Sequence, residues 1–136
     1  MTVEFIDTNV LIYAFDSDAG VRHSKSADLI ERLTIDGNGA LSTQVLSEFY
    51  SFSTRKLGMR SEEADEVIRD LASWKIHAPG HRDVVQAISM QLRYQVAWWD
   101  AMILNSALEL DAIILWSEDF NNGQTFNGLT VRNPFL

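Results

Sequence analysis

The chain has 136 residues, no cysteine, an apolar fraction of 46% and a formal charge of −8. That length suits one domain, residues 1–136, with a sizeable core, and the lack of cysteine excludes disulfides and thiolate metal sites. The negative total weighs against a nucleic-acid binder. With no signal-peptide pattern and no apolar run near the length needed to cross a bilayer, a cytoplasmic protein away from membranes is expected.

In chain order, Val3–Ile6 reads as an apolar, buried strand that stops on Asp7-Thr8-Asn9. Asn9–Phe15 reads as a short helix or turn, and Arg22–Leu33 as a helix ending before the Gly37-Asn38-Gly39 turn. A short strand, Ala40–Ser42, precedes a helix over Thr43–Leu57 that Ser42 or Thr43 caps and Gly58 stops. Ser61 is expected to cap the next helix, whose apolar stripe is Ala64, Val67, Ile68, Leu71 and Ala72. Lys75–Ala78 is a candidate strand, broken by Pro79-Gly80. Helices follow over His81–Tyr94 and from near Asp100. Ala112–Trp116 has the pattern of a central strand buried on both faces, and Asn127-Gly128 turns the chain into a last strand, Leu129–Arg132. Strands alternating with helices predict an α/β layer fold with a mainly parallel sheet. In such sheets ligands sit at the carboxyl ends of the strands.

Four carboxylates stand in awkward places. Asp7 and Asp119 each lie just past a predicted buried strand, where an aspartate often does no more than start a turn. Glu48 shares a helix face with Val45 and Phe52, and no Lys or Arg lies one turn away to pair with it. Asp100 opens onto Ile103, Leu104 and Ala107, although a plain N-cap would explain it too. If the four converge, like charges about 4 Å apart repel by roughly 4 kcal/mol per pair at an effective dielectric of 20. Such a cluster needs a cation or raised pKa values. An all-oxygen set favours Mg²⁺ or Mn²⁺, ions that commonly serve phosphoryl transfer.

Other patterns carry less. His77 and His81 are separated by Pro79-Gly80, so they cannot share the helical face that a zinc pair needs. No serine sits in a nucleophile elbow, and there is no glycine-rich phosphate loop. Trp98 and Trp99 read as core or helix-staple residues rather than a base-stacking platform. Val45, Leu46, Phe49, Tyr50 and Phe52 cover more than one stripe of their helix, which implies either aromatic surface outside the core or a helix buried on both sides.

The stretches FIDTNVLIYAFD, TQVLSEFY, WWDAMIL and LWSEDFNNGQTFNGLTVRNPF, in that order, resemble the PIN-domain family and within it the VapC-type toxins of type II toxin–antitoxin systems. The resemblance implies a three-layer fold with an acidic pocket at one sheet edge, and Mg²⁺- or Mn²⁺-dependent endoribonuclease activity leaving a 5′-phosphate. It implies Asp7, Glu48, Asp100 and Asp119 as the catalytic, metal-binding quartet, with Thr8, Asn9 and Ser117 as supporting polar neighbours. It implies an RNA substrate, a cognate antitoxin and a homodimer. Arg22, Arg55, Lys56, Arg60, Arg82 and Arg93 are candidates for an RNA path. Two rivals remain: a non-catalytic RNA- or protein-binding module, and a phosphatase with Asp7 as nucleophile, against which Asn9 stands where a second aspartate is usual.

Overall fold

A computed structural model describes residues 2–136. Its centre is a six-stranded sheet in the order β3-β2-β1-β4-β6-β5. The strands are β1 (Val3–Ile6), β2 (Gly39–Ser42), β3 (Lys75–His77), β4 (Ala112–Trp116), β5 (Thr125–Phe126) and β6 (Leu129–Arg132). All neighbours pair in parallel except β5, which forms an antiparallel hairpin with β6 across Asn127-Gly128. The helices are α1 (Thr8–Ala14), α2 (Val21–Asp36), α3 (Thr43–Lys56), α4 (Ser61–Asp70), α5 (His81–Tyr94) and α6 (Trp98–Glu109). This is the expected three-layer α/β architecture.

Every residue of β1 and of β2 is buried, so side chains leaving both faces of these strands are covered. Phe5, Leu11, Leu33, Leu41, Phe49, Leu104 and Leu115 are among the fully enclosed side chains of one continuous core. The chain runs outward from β1 to β2 and β3, then returns to the other side of β1 to lay down β4. The crevice between the ends of β1 and β4 is therefore the topological switch point of the sheet, where parallel folds place their ligands.

Local chemistry sets the helix ends. Ser42 Oγ accepts from Val45 N (3.3 Å) at the start of α3, and Gly58 follows its end at φ +69°. Gly37 closes α2 in the left-handed region at φ +70°. The Asp83 carboxylate accepts from Gly80 N (2.8 Å) ahead of α5. Gly39 has a different reason to be glycine: a Cβ there would lie 2.7 Å from the Trp74 ring.

Several expectations need correction. Ser61 is the first residue of α4 and not its cap; Arg60 holds that place, and Ser61 Oγ accepts from Tyr50 Oη (3.0 Å). Helix α2 runs three residues beyond Leu33, and α6 starts at Trp98, so Asp100 lies inside its first turn rather than at its cap. Strand β4 is central but not covered throughout, since Ile113 is 43% exposed. Strand β1 is not purely apolar: Glu4 lies in it, buried, accepting from Arg32 Nη2 (3.1 Å), Asn38 Nδ2 (3.1 Å) and Trp116 Nε1 (2.8 Å). Burial pushes this carboxyl up, but those hydrogen bonds and the Arg32 charge outweigh it and hold Glu4 below its usual value.

Candidate active site

The switch point gathers the four acids. Asp7 follows β1 directly, Asp119 lies in the loop after β4, Glu48 projects from α3, which starts where β2 ends, and Asp100 projects from the first turn of α6. All four line one cavity of about 310 Å³, together with Thr8, Asn9, Gln44, Arg55 and Trp99. Among the described residues, none of the four is in an ion pair with a Lys or Arg.

Hydrogen bonds tie three of the four acids into two linked sets, and Asp100 belongs to neither. Asp7 is N-cap of α1, its Oδ1 accepting from Thr8 N (2.7 Å). Its Oδ2 accepts from Ser117 Oγ (2.8 Å), and Ser117 Oγ accepts from Asp119 N (3.0 Å). The fully buried Ser117 thus joins the two strand-end aspartates. On the other side, Glu48 Oε1 accepts from Thr8 Oγ1 (3.1 Å) and Gln44 Nε2 (3.1 Å). Asn9 lines the cavity without a role in these sets.

The electrostatics follow from burial and crowding. The Asp7 carboxyl is pushed up to about 7, chiefly by burial; the Ser117 and Thr8 hydrogen bonds oppose that rise, and the charges of Asp119 and Asp100 add to it. Asp100 is raised as well, first by burial and then by Asp119 and Glu48. The acids therefore feel one another across the cavity. Among the described residues, however, no three ligand-type side chains already stand in a tight metal-holding group. The acids ring the cavity and do not yet clasp a point within it. The four acids offer only oxygens, and among the described residues none is paired with a Lys or Arg, which fits a hard divalent ion such as Mg²⁺ or Mn²⁺ better than zinc.

Of the basic candidates, only Arg55 lines the acidic cavity, its Nε donating to Ser51 O (3.2 Å) and Oγ (3.1 Å). Arg22 is held by Glu118, Arg60 by Glu63, and the Arg93 guanidinium lies over the Tyr94 ring at 5.2 Å. His77 contacts Ser106 Oγ (2.8 Å) and Asp83 Oδ1 (3.3 Å), but Ser106 is fully buried, so this trio knots β3, α5 and α6 together and exposes no nucleophile.

Three features escape sequence reasoning. Glu118, beside Asp119, accepts from Tyr13 Oη (2.7 Å) and Arg22 Nε (3.1 Å), bracing the loop against α1 and α2. Gln44 supports Glu48; its place one turn earlier on the helix is the signal that could have found it. Trp99 is the third and a correction: it is 62% exposed beside the acids, while Trp98 alone packs inward against Ala87 and Met102.

Comparison with known proteins agrees with this geometry. The PIN domain family model matches residues 5–122. The fold and its acidic switch point define a PIN domain, and the chain belongs to that family. No curated protein sequence matches it. Among solved structures, a toxin–antitoxin complex from Klebsiella pneumoniae is similar at 18% identity and TM-score 0.70, over 96% of this chain and 97% of the other. VapC20 of Mycobacterium tuberculosis, a sarcin–ricin-loop-cleaving toxin, is similar at 19% identity and TM-score 0.66, over 85% and 91%. VapBC2 of Rickettsia felis, bound to a promoter DNA fragment, is similar at 15% identity and TM-score 0.70, over 97% and 98%.

Proposed function

We propose that the chain is a Mg²⁺- or Mn²⁺-dependent endoribonuclease and the toxin of a toxin–antitoxin pair. One observation carries this reading. Four carboxylates from four separate elements line one cavity at the sheet's switch point, with no Lys or Arg paired to them among the described residues. Evenly spread surface acids do not do this, and stability alone does not favour it. The fold's likeness to VapC and VapBC proteins supports the toxin role and a cognate antitoxin. Exposed apolar side chains support association, as antitoxin complex and homodimer: Tyr50 and Phe52 on α3, and Val85, Ile88 and Leu92 on α5.

In this reading Asp7, Glu48, Asp100 and Asp119 hold the ion. When bound, the ion supplies a Lewis acid that activates water and offsets charge on the phosphate. The chain's own residues do the positioning. Ser117 and Thr8 N fix both oxygens of Asp7, and Thr8 Oγ1 and Gln44 fix Glu48, so neither carboxylate has to be ordered at the moment of reaction. Arg55 stands at the cavity wall as the cation for a neighbouring phosphate, which answers part of the conflict between an acidic chain and a polyanionic substrate.

Incubation of total RNA with the purified chain tests the reading. Discrete cleavage is expected with Mg²⁺ or Mn²⁺ and none with EDTA. Intact RNA in every condition would favour the non-catalytic binding module, and cleavage indifferent to EDTA would remove the ion from the mechanism.

A further inference from the structure

Trp99 forms part of the wall between two cavities. On one side are the acids; on the other is a larger hollow of about 570 Å³, lined also by Thr43, Ser47, Pro79 and Met102. Gln44 and Glu48 line both. Helix α6 creates this arrangement: Ala101 to Leu104 turn into the core, Trp98 anchors against Ala87 and Met102, and the next residue is left pointing outward. The Trp98 ring stands behind it, centroids 6.4 Å apart and planes tilted by 57°. An isolated exposed tryptophan is unremarkable on a protein surface. This one is buttressed, and it faces a hollow that opens directly onto the acids.

A second observation lies on the shared wall. Gln44 donates through Nε2 to Glu48 Oε1 (3.1 Å) and Trp99 O (3.5 Å), yet its Oε1 is enclosed without a donor. That oxygen is sealed off as the side chain stands, so the polar groups open to a ligand lie elsewhere on the wall of the hollow. Thr43 and Ser47 add hydroxyls that donate or accept equally well.

We propose that this second hollow is a nucleobase subsite: the base of an unpaired ribonucleotide next to the scissile phosphate stacks on Trp99, with the Thr43 and Ser47 hydroxyls placed to bond its edge. The inference rests on the ribonuclease reading and deepens it, because a base must leave its helical stack to present a face to the indole.

The test uses single-stranded oligoribonucleotides, first intact to map the cut, then with an abasic residue on either side of it. Trp99→Ala is expected to lose about tenfold or more in kcat/KM on the intact oligomer, chiefly through KM. Trp99→Phe should recover most of that loss. The unaltered protein should suffer the same loss on one of the two abasic oligomers, and Trp99→Ala should lose nothing more on it. The abasic arm leaves the protein untouched, so a folding defect in the variant cannot imitate the result. Equal kinetics for Trp99→Ala and the parent, or penalties that simply add, would overturn the subsite and hand the exposed ring to a protein partner. EDTA-sensitive cleavage of the intact oligomer separates the two levels: if it is present while the Trp99 and abasic arms are silent, only the subsite falls, and if it is absent, both readings fall.

Discussion

Asp7 is the residue on which the electrostatics of the site turn. It is 5% exposed, has no cationic partner among the described residues, and its carboxyl is pushed from 3.8 up to about 7. A raised acid binds its proton more tightly in the folded chain than in the unfolded one. Between pH 3.8 and about 7 the unfolded state has released a proton that the folded state keeps, so metal-free stability falls as pH rises through that window. Above it the full penalty applies; below it the two states are alike. Asp7→Asn removes the charge while an amide oxygen can still accept from Ser117 or Thr8 N. The metal-free variant is therefore expected to melt a few degrees above the parent at pH 8, with the gap closing toward pH 4, while RNA cleavage is abolished. Thermal melts across that range check it. A variant that unfolds at pH 8 would show that Asp7 is there for structure.

At the scale of elements, the loop after β4 is the least obvious contributor, because Asp119 sits in it with no helix or strand to fix it. Its neighbour Glu118 supplies the anchorage, through Tyr13 on α1 and Arg22 on α2. The Arg22 guanidinium also lies over the Phe135 ring at 5.2 Å, which draws the C-terminal end into the same brace. Glu118→Ala is expected to lower the cleavage rate by about tenfold or more through misplacement of Asp119. Its cost in melting temperature should be slight, since the Arg22 side chain is half exposed. Glu118→Gln, which still offers Tyr13 an acceptor, should recover most of the rate. Parity between Glu118→Ala and the parent in a cleavage assay would leave this brace without a part in the site. Sequence reasoning reached the elements because apolar period and turn residues mark them locally: β1, the extent of α5 and the β6 strand all lie where those signals put them. It singled out Asp7 and Asp119 because each follows a buried strand, Glu48 because it interrupts an apolar helix face with no cation one turn away, and Asp100 because an apolar face continues from it. It missed Glu4, whose partners Arg32 and Trp116 are 28 and 112 residues distant, so nothing local marks its burial as satisfied. It misjudged Trp99 because α6 is apolar nearly all round, and a helix of that kind does not say which side faces out.

For the whole molecule the question is what offsets a charge of −8 when part of it is concentrated at one crevice. Two effects of added salt have to be kept apart. Mobile ions screen exposed acids generally, with a Debye length of about 8 Å at physiological ionic strength. An ion held by Asp7, Glu48, Asp100 and Asp119 would act differently, by binding the folded state and not the unfolded one. At a concentration one hundred times its dissociation constant that linkage contributes about 2.7 kcal/mol, enough to move the melting point of a chain this size by several degrees. Millimolar Mg²⁺ or Mn²⁺ is thus expected to raise the melting temperature in 150 mM NaCl, where general screening is already near saturation. The same titration on Asp100→Asn combined with Asp119→Asn should give little or no rise, even though that variant begins from a higher metal-free melting point because two repelling charges are gone. If instead the parent melts at one temperature throughout, or the double variant gains as much as the parent, the crevice is not the site of a divalent ion.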